Sequence, residues 1–337
     1  VRKIATIRDV AKYTGLSIAT ISKYLNGGNV LEQNKELIEE AIKVLDYKIN
    51  EIARGLKTNR TMTVGILIPS LENIFFTSIV SNIENILIQN GYSAILCDYR
   101  EDEKLEKEKF DFLINKLVDG IVMVPSGKNI ECIKGAIEKN IPIVLIDRML
   151  KGISCDVVLT DNLNAAYDAA EQFIMRGHKK IGIISGPENI YTAQERLKGY
   201  LRVHEDYAME VDRSLIKYGD YKIESGYKLL LELIDNNPRP TAVFVTNYEM
   251  TLGAIMAINE RDIKVPEELS IIGFDNIQMA KIVKPPLSIV VQPMQQIGET
   301  AAEVLLKRLK GDRSNFPAIY RLKTEILLKE SVSKLTG

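Results

Sequence analysis

Residues 5–26 read ATIRDVAKYTGLSIATISKYLN, and the fold of this stretch decides how the rest of the chain is read. Thr6 followed by Asp9 places an N-cap hydroxyl and an acid at N3, and Ile7, Val10 and Ala11 then recur at helical spacing. That pattern predicts a first helix. Gly15 stands where a left-handed C-cap is cheapest, Leu16 can plug the corner, and Ser17 is placed to cap a second helix running to Leu25. Helix, glycine turn and helix make a helix-turn-helix, which offers the start of its second helix to the DNA major groove. Ser17, Ile18, Ala19, Thr20, Ser22 and Lys23 are therefore expected outward, with Ile21 and Leu25 inward. Short hydroxyls let backbone approach phosphates, and Lys23 can reach a guanine edge.

An αα-hairpin within some larger fold would show the same pattern. The charge distribution separates the two readings. Residues 1–31 carry Arg2, Lys3, Arg8, Lys12 and Lys23 against Asp9 alone, in a chain whose net charge is -1. A local cationic excess of this kind is what a phosphate-facing surface needs.

Moving outward, Leu37, Ile38, Ala41, Ile42 and Leu45 predict a third helix packed on the first two, with no hydroxyl residue to cap its start among Leu31, Glu32 and Gln33. Residues 46–61, DYKINEIARGLKTNRT, are polar and poor in core residues, the composition of a linker. From Thr63 the chain changes character. VGILIPS, SAILCD, GIVMVP and PIVLID are short continuous apolar runs separated by helical patterns near 74–90, 102–118 and 129–138. KIGIISG, AVFVTN and LSIIGFD follow, with helices near 163–177, 190–205, 222–236 and 249–261. Buried parallel strands with crossover helices give this alternation, and two doubly wound α/β units in tandem are expected. SIVVQP, a helix over 295–310 and a terminal strand pair come last.

At 337 residues, 46% hydrophobic and 26% charged, the chain has the length and composition of a soluble protein of two or three domains. No apolar run reaches membrane-spanning length and no signal-like segment opens the chain, so a cytoplasmic protein that contacts no membrane is expected. Cys97, Cys132 and Cys155 are widely spaced within apolar patterns and are expected as buried thiols. His178 and His204 have no acid or thiol partners at ligand spacing, so no metal centre and no cofactor are expected. His178 is expected to end a helix near its negative pole. No Walker loop, dinucleotide glycine fingerprint or nucleophile elbow is present, which points away from an enzyme and from any catalytic residue; Ser126-Gly127 and Ser185-Gly186 are read as strand-exit turns.

In open α/β sheets ligands bind beyond the carboxyl ends of the strands. The residues there are Asn73, Phe75 and Phe76 after the first strand, and Asp147 and Arg148 after PIVLI. Arg196 lies on the helix after IISG, Tyr221 opens the next, and Asn247, Asp275 and Gln292 close AVFVT, IIGF and SIVV. Asn or Asp after a strand is often only a helix cap. As a set, planar groups that pair hydrogen bonds, together with aromatic faces, suit the hydroxyls and C–H face of a monosaccharide.

TIRDVAKYTGLSIATISKYLNG at 6–27, followed by LDYKINEIARGLKTNRTMTVGILIP at 45–69, resembles the head and hinge of the lactose-repressor (LacI/GalR) family, and the resemblance runs through the whole chain. It implies a helix-turn-helix head at 1–48, a hinge at 49–61, and a periplasmic-binding-protein-like effector part of two subdomains. The first would comprise 62–162 with about 292–323, the second 163–291 with about 324–337. It also implies a homodimer on an inverted-repeat operator, contacted by Thr6, the outward residues of the second helix and Asn26. NEIARGL would be a hinge helix that orders on DNA, with Leu56 wedged into the minor groove and Asn50, Ala53, Arg54 and Lys57 lining it. The ten strand-exit residues resemble the pocket of ribose-binding protein and of sugar-responsive repressors in the family. The chain departs from the family at Ile49 and Ile74, where prolines are usual, at Lys23, where arginine is common, and at Tyr248, where aspartate is frequent. The implied function is a repressor of carbohydrate-use genes with a neutral monosaccharide effector. The catabolite-control branch, whose corepressor is a phosphorylated carrier protein, is the alternative; it typically lacks the arginines present here as Arg148 and Arg196. No heptad tail follows KESVSKLTG, so a dimer without tail-joined tetramers is expected.

Overall fold

The computed structural model describes residues 5–25, 27–48, 60–275 and 277–335. It divides into two compact units, Val1–Met62 and Thr63–Gly337.

The first unit holds α1 (Ile7–Thr14), α2 (Ile18–Leu25) and α3 (Glu32–Val44). The Asp9 carboxylate accepts from the Thr6 amide at 2.8 Å and from the Thr6 hydroxyl at 2.7 Å, which closes the start of α1. Gly15 ends that helix at φ +71°, and the Ser17 hydroxyl accepts from the Thr20 amide at 3.1 Å to cap α2. Val10, Ile21, Ile38 and Ala41 form a fully buried core, with Leu16, Leu25, Ile42 and Leu45 packed around it. Leu37, expected inward, is 41% exposed. The 100° step of α3 already turns Ile38, Ala41, Ile42 and Leu45 toward the other helices, which leaves Leu37 beside that arc. Residues 49–59 lie outside the described residues, and with them the expected hinge contacts Asn50, Ala53, Arg54, Leu56 and Lys57; so does Asn26.

The second unit contains two parallel sheets of the same winding. β1 (Thr63–Ile68), α4 (Ile74–Gln89), β2 (Ser93–Asp98), α5 (Glu103–Asn115), β3 (Gly120–Met123), α6 (Ile130–Glu138), β4 (Ile143–Ile146) and β5 (Asp156–Thr160) build the first. After α7 (Asn162–Ile174), the second follows from β6 (Ile181–Ser185), α8 (Tyr191–Asp206), β7 (Ile216–Tyr218), α9 (Ile223–Ile234), β8 (Ala242–Val245), α10 (Tyr248–Glu260), β9 (Ser270–Phe274), α11 (Ile277–Ile282) and β10 (Ser288–Val291). The chain then crosses back through α12 (Met294–Leu309), β11 (Ile319–Leu322) and β12 (Glu325–Leu327). Strand order is β11-β5-β4-β3-β1-β2 in one sheet and β12-β10-β9-β8-β6-β7 in the other. All described pairings are parallel except β10 with β12. Both sheets therefore change direction next to their first strand, at β1/β3 and β6/β8, where doubly wound sheets open a crevice.

Apart from a 3-10 turn at Arg213–Leu215, three elements among the described residues escape the sequence reading. β5, DVVLT, is short and headed by a buried acid, β7 is a three-residue edge strand, and α11 is a short helix. The acid heading β5 is a clasp. Arg308 of α12 donates through Nε and Nη2 to Asp156 at 2.8 and 2.9 Å, both side chains fully buried, and the Ala318 amide donates to the same carboxylate at 3.0 Å. Packed on α4 and on β3 to β5, α12 belongs structurally with the first sheet although it follows the last strand of the second.

His178 does not serve as a helix-end cation. Its Nδ1 meets the Thr241 hydroxyl at 2.9 Å and its Nε2 the Ser333 carbonyl at 3.2 Å, and burial holds its pKa below the ordinary histidine value. Cys97 and Cys155 are buried, Cys132 is half-buried, and none is in a disulfide.

Candidate functional site

A cavity of about 1050 Å³ opens where the carboxyl ends of the two sheets face each other. All ten strand-exit residues line it.

Its walls are aromatic. Phe75 and Phe76, in the first turn of α4, lie edge to face with ring centroids 5.1 Å apart. Tyr221, ahead of α9, faces the cavity from the second sheet, and its hydroxyl pairs with that of Thr192 at 3.1 Å.

Its base is ionic. Arg196 comes from the middle of α8, where Asn162 accepts from its Nε at 2.8 Å and the Thr246 carbonyl accepts from Nη1; its guanidinium stacks 3.9 Å from the centre of the Phe274 ring. These contacts leave an orientation fixed before any ligand arrives. Asp275 follows β9 and accepts from Gln292 Nε2 with both oxygens, at 3.1 and 3.0 Å, while Gln292 Oε1 accepts from the Thr160 hydroxyl at 2.7 Å. Asp147 and Arg148 follow β4, with Arg148 Nε 3.6 Å from the Asp147 carboxylate. That Nε has no hydrogen-bond partner among the described residues although it is buried. A buried donor in that position can meet a ligand oxygen.

Burial pushes the Asp275 carboxyl up to about 6 against the pull of Arg196, and it raises Asp147 as well, opposed by Arg148 and Arg196. Burial likewise raises the Tyr221 phenol. Two acids and two guanidinium groups face one space, so the base carries little net charge. Asp147, Tyr221 and Asp275 all have left-handed backbone, at φ 66°, 69° and 59°. Aspartate tolerates that region, but tyrosine rarely does, and strain of about 1–3 kcal/mol per residue is characteristic of functional sites.

The two asparagines turn out to be helix caps as well as lining residues. Asn247 Oδ1 accepts from the Met250 amide and Nδ2 donates to the Tyr221 carbonyl; Asn73 Oδ1 accepts from the Phe75 amide and Nδ2 donates to Glu249 at 3.1 Å. Their polar atoms are thus already engaged. Thr192, Glu249 and the supporting Thr160 and Asn162 were not anticipated. Thr160 and Asn162 flank the end of β5, a strand the sequence reading lacked, and Thr192 lies one turn before Arg196 on the same helix face.

In the first unit the α2 face carries Ser17, Ile18, Ala19 and Lys23 exposed, with Thr20 and Ser22 half-buried, and Thr6 is exposed at the start of α1. Ile21 is fully buried beneath them. Ser17 and Thr20 share a hydroxyl contact of 2.9 Å. A short helix thus presents small polar groups and one ammonium outward, the profile needed to seat in a major groove. Among the described residues no group of three or more His, Cys, Asp or Glu is placed to hold a metal, and no helix is long and apolar enough to cross a membrane.

Comparison with known proteins gives a consistent frame. Residues 6–50 match the profile of bacterial regulatory proteins of the lacI family, and residues 170–332 match that of the periplasmic binding protein-like domain. Over 334 residues the chain is 33% identical to an HTH-type transcriptional repressor PurR of Actinobacillus pleuropneumoniae serotype 3 (strain JL03), covering 98% of this chain and 99% of that protein. Among solved structures, a LacI family transcriptional regulator from Enterococcus faecium with bound ribose is 27% identical, with a TM-score of 0.73 over 81% of this chain and 100% of its own. The lac repressor dimer bound to operator and anti-inducer superposes with a TM-score of 0.88 over 98% of this chain and 100% of its own, at 22% identity, a likeness of fold alone.

Proposed function

Because the chain belongs to the LacI family of bacterial regulatory proteins, as a DNA-binding transcriptional repressor with a small-molecule effector, we propose that this effector is a neutral monosaccharide and that the genes controlled serve carbohydrate use. The observation that carries this reading is the balanced base of the cavity, where Asp147 and Asp275 face Arg148 and Arg196 between aromatic walls. Sugar hydroxyls bridge such pairs, each donating to a carboxylate and accepting from a guanidinium, while a C–H face lies on Phe75, Phe76 or Tyr221. The relative crystallised with ribose supports the same class of ligand.

In this reading the effector draws the two sheets together and changes the spacing at which a homodimer presents its heads to an inverted repeat. α2 reads the major groove through Ser17, Ile18, Ala19, Thr20, Ser22 and Lys23, and Leu56 wedges the minor groove beside Asn50, Ala53, Arg54 and Lys57. A second reading, a flat purine base stacked on the aromatic walls, is favoured by the name that the curated relatives carry. Thermal unfolding of the full chain with pentoses, hexoses and purine bases discriminates between them. A ligand at 100 times its Kd adds about 2.7 kcal/mol, a clear rise in midpoint. Stabilisation by a monosaccharide, lost in Arg196→Ala, is expected; stabilisation by purine bases alone overturns the sugar reading.

A further inference from the structure

At the opposite, amino-terminal end of β6 lies a separate cleft of about 430 Å³. Lys179, Lys180 and Arg213 line it, facing Glu210 and Asp212, so its rim has a net positive charge. The Ser214 amide donates to one Asp212 oxygen at 2.9 Å, which ties that carboxylate to its own turn while the three cations keep the surplus. The depth of the cleft is apolar, formed by Tyr200, Val211 and Leu215.

His204 gives the cleft its chemistry. It is 2% exposed and lines the cleft from the last turn of α8. Its Nδ1 lies 2.8 Å from the Tyr200 carbonyl. A carbonyl can only accept, so Nδ1 carries the proton and Nε2 keeps a lone pair. That Nε2 has no hydrogen-bond partner among the described residues and is not fully enclosed, and the His204 side chain lines the cleft. Tyr200 cannot rotate away to satisfy it, since its own hydroxyl donates to the Ile181 carbonyl at 2.7 Å. An unpaired acceptor beneath a cationic rim suits a ligand that carries a hydroxyl donor at one end and a negative charge at the other.

We propose that this cleft is a second small-molecule site, for a hydroxyl-bearing organic phosphate monoester. The phosphoryl oxygens pair with Lys179, Lys180 and Arg213, and a hydroxyl of the ligand donates to His204 Nε2. The two cavities share one helix. α8 carries Thr192 and Arg196 at one end and Tyr200 and His204 at the other, so two turns of one helix, about 12 Å between Arg196 and His204, connect the sites.

Isothermal titration of the full chain tests this with glycerol 3-phosphate, n-propyl phosphate and inorganic phosphate as probes. Glycerol 3-phosphate is expected to bind, to bind equally to Arg196→Ala, and to lose at least tenfold in affinity in Lys179→Ala/Arg213→Ala, whose altered side chains are exposed. n-Propyl phosphate, which keeps the charge and lacks the hydroxyls, is expected to bind at least tenfold more weakly than glycerol 3-phosphate, and His204→Leu is expected to erase that preference. No heat with any probe, binding abolished by Arg196→Ala, or binding indifferent to the double substitution overturns the site. Equal affinity for the two esters overturns the role of His204 and the class of ligand with it.

Discussion

Tyr221 holds its place in the cavity wall because of what is missing beneath it. A Cβ built on Gly186 would lie 2.2 Å from the Tyr221 ring, far inside any contact that real atoms make, and Tyr221 itself sits at φ 69° with little freedom to yield. Gly186→Ala is therefore expected to tip the ring out of line and weaken effector binding at least tenfold, with operator affinity in the absence of effector unchanged; titration of each ligand checks both halves. Asp275 offers a second test at this scale. Its carboxyl, raised to about 6 by burial, protonates as pH falls through that value, and the neutral form is a poorer acceptor for a ligand hydroxyl. Effector affinity should fall as pH drops through about 6, and Asp275→Asn should reduce this dependence to the part that Asp147, also raised by burial, supplies. The ten lining residues were legible because a strand end in this fold is a place as well as a residue. What stayed hidden was how each is held. Arg196 depends on Asn162 and Gln292 on Thr160, partners 34 and 132 positions distant, which spacing along the chain cannot reveal.

At the scale of elements, α12 was legible as a helix but its seat on the first sheet was not, because only the family resemblance implied a crossover. The structure supplies the physical cause in the buried Arg308–Asp156 pair that ties α12 to β5 and to the Ala318 amide. Arg308→Ala strands a buried carboxylate, which costs about 3–5 kcal/mol, and should lower the denaturant midpoint accordingly. Replacing both partners, Asp156→Leu/Arg308→Met, should recover only part of this, since the Ala318 amide and the Asp312 and Ser314 carbonyls that Arg308 bonds would remain unpaired. A double variant as weak as Arg308→Ala alone would show that the pair matters only through those backbone groups. The join between α7 and the last segment has a pH signature instead. His178 is held neutral, its pKa lowered by burial, so the unfolded chain takes up the proton first on acidification. The stability it contributes is complete above about pH 6.5 and is lost as pH falls toward the depressed folded value. Asp275 runs the other way. Its raised pKa stabilises the fold below about 3.8 and stops doing so as pH rises through about 6. Acid unfolding followed in His178→Gln should lack the first limb and keep the second.

For the whole molecule the decisive quantity is the coupling between effector and operator. The sheets have separate cores, and among the described residues side-chain hydrogen bonds from Asn73 to Glu249 across the cavity mouth, from Arg321 to Tyr191 and from Thr160 to Gln292 join the two halves. Such an arrangement can close on a ligand with few contacts to break, which is the property a two-state regulator needs. Coupling free energies of this kind are about 1–3 kcal/mol, equivalent to a change of about 5- to 150-fold in affinity. Linkage makes the prediction stricter than a mere response. If saturating effector changes operator affinity by some factor, saturating operator must change effector affinity by that same factor. Both factors are measurable on the full chain, by fluorescence anisotropy of labelled operator with and without effector and by calorimetry of effector with and without operator. Asn73→Ala, which removes the contact across the mouth and leaves the ionic base intact, is expected to change the two factors together. Arg196→Ala should bring both to one, because a ligand that no longer grips the base has no preference between open and closed forms. Both factors equal to one in the unaltered protein, with the effector still bound, would mean that the cavity is a binding site without being the switch.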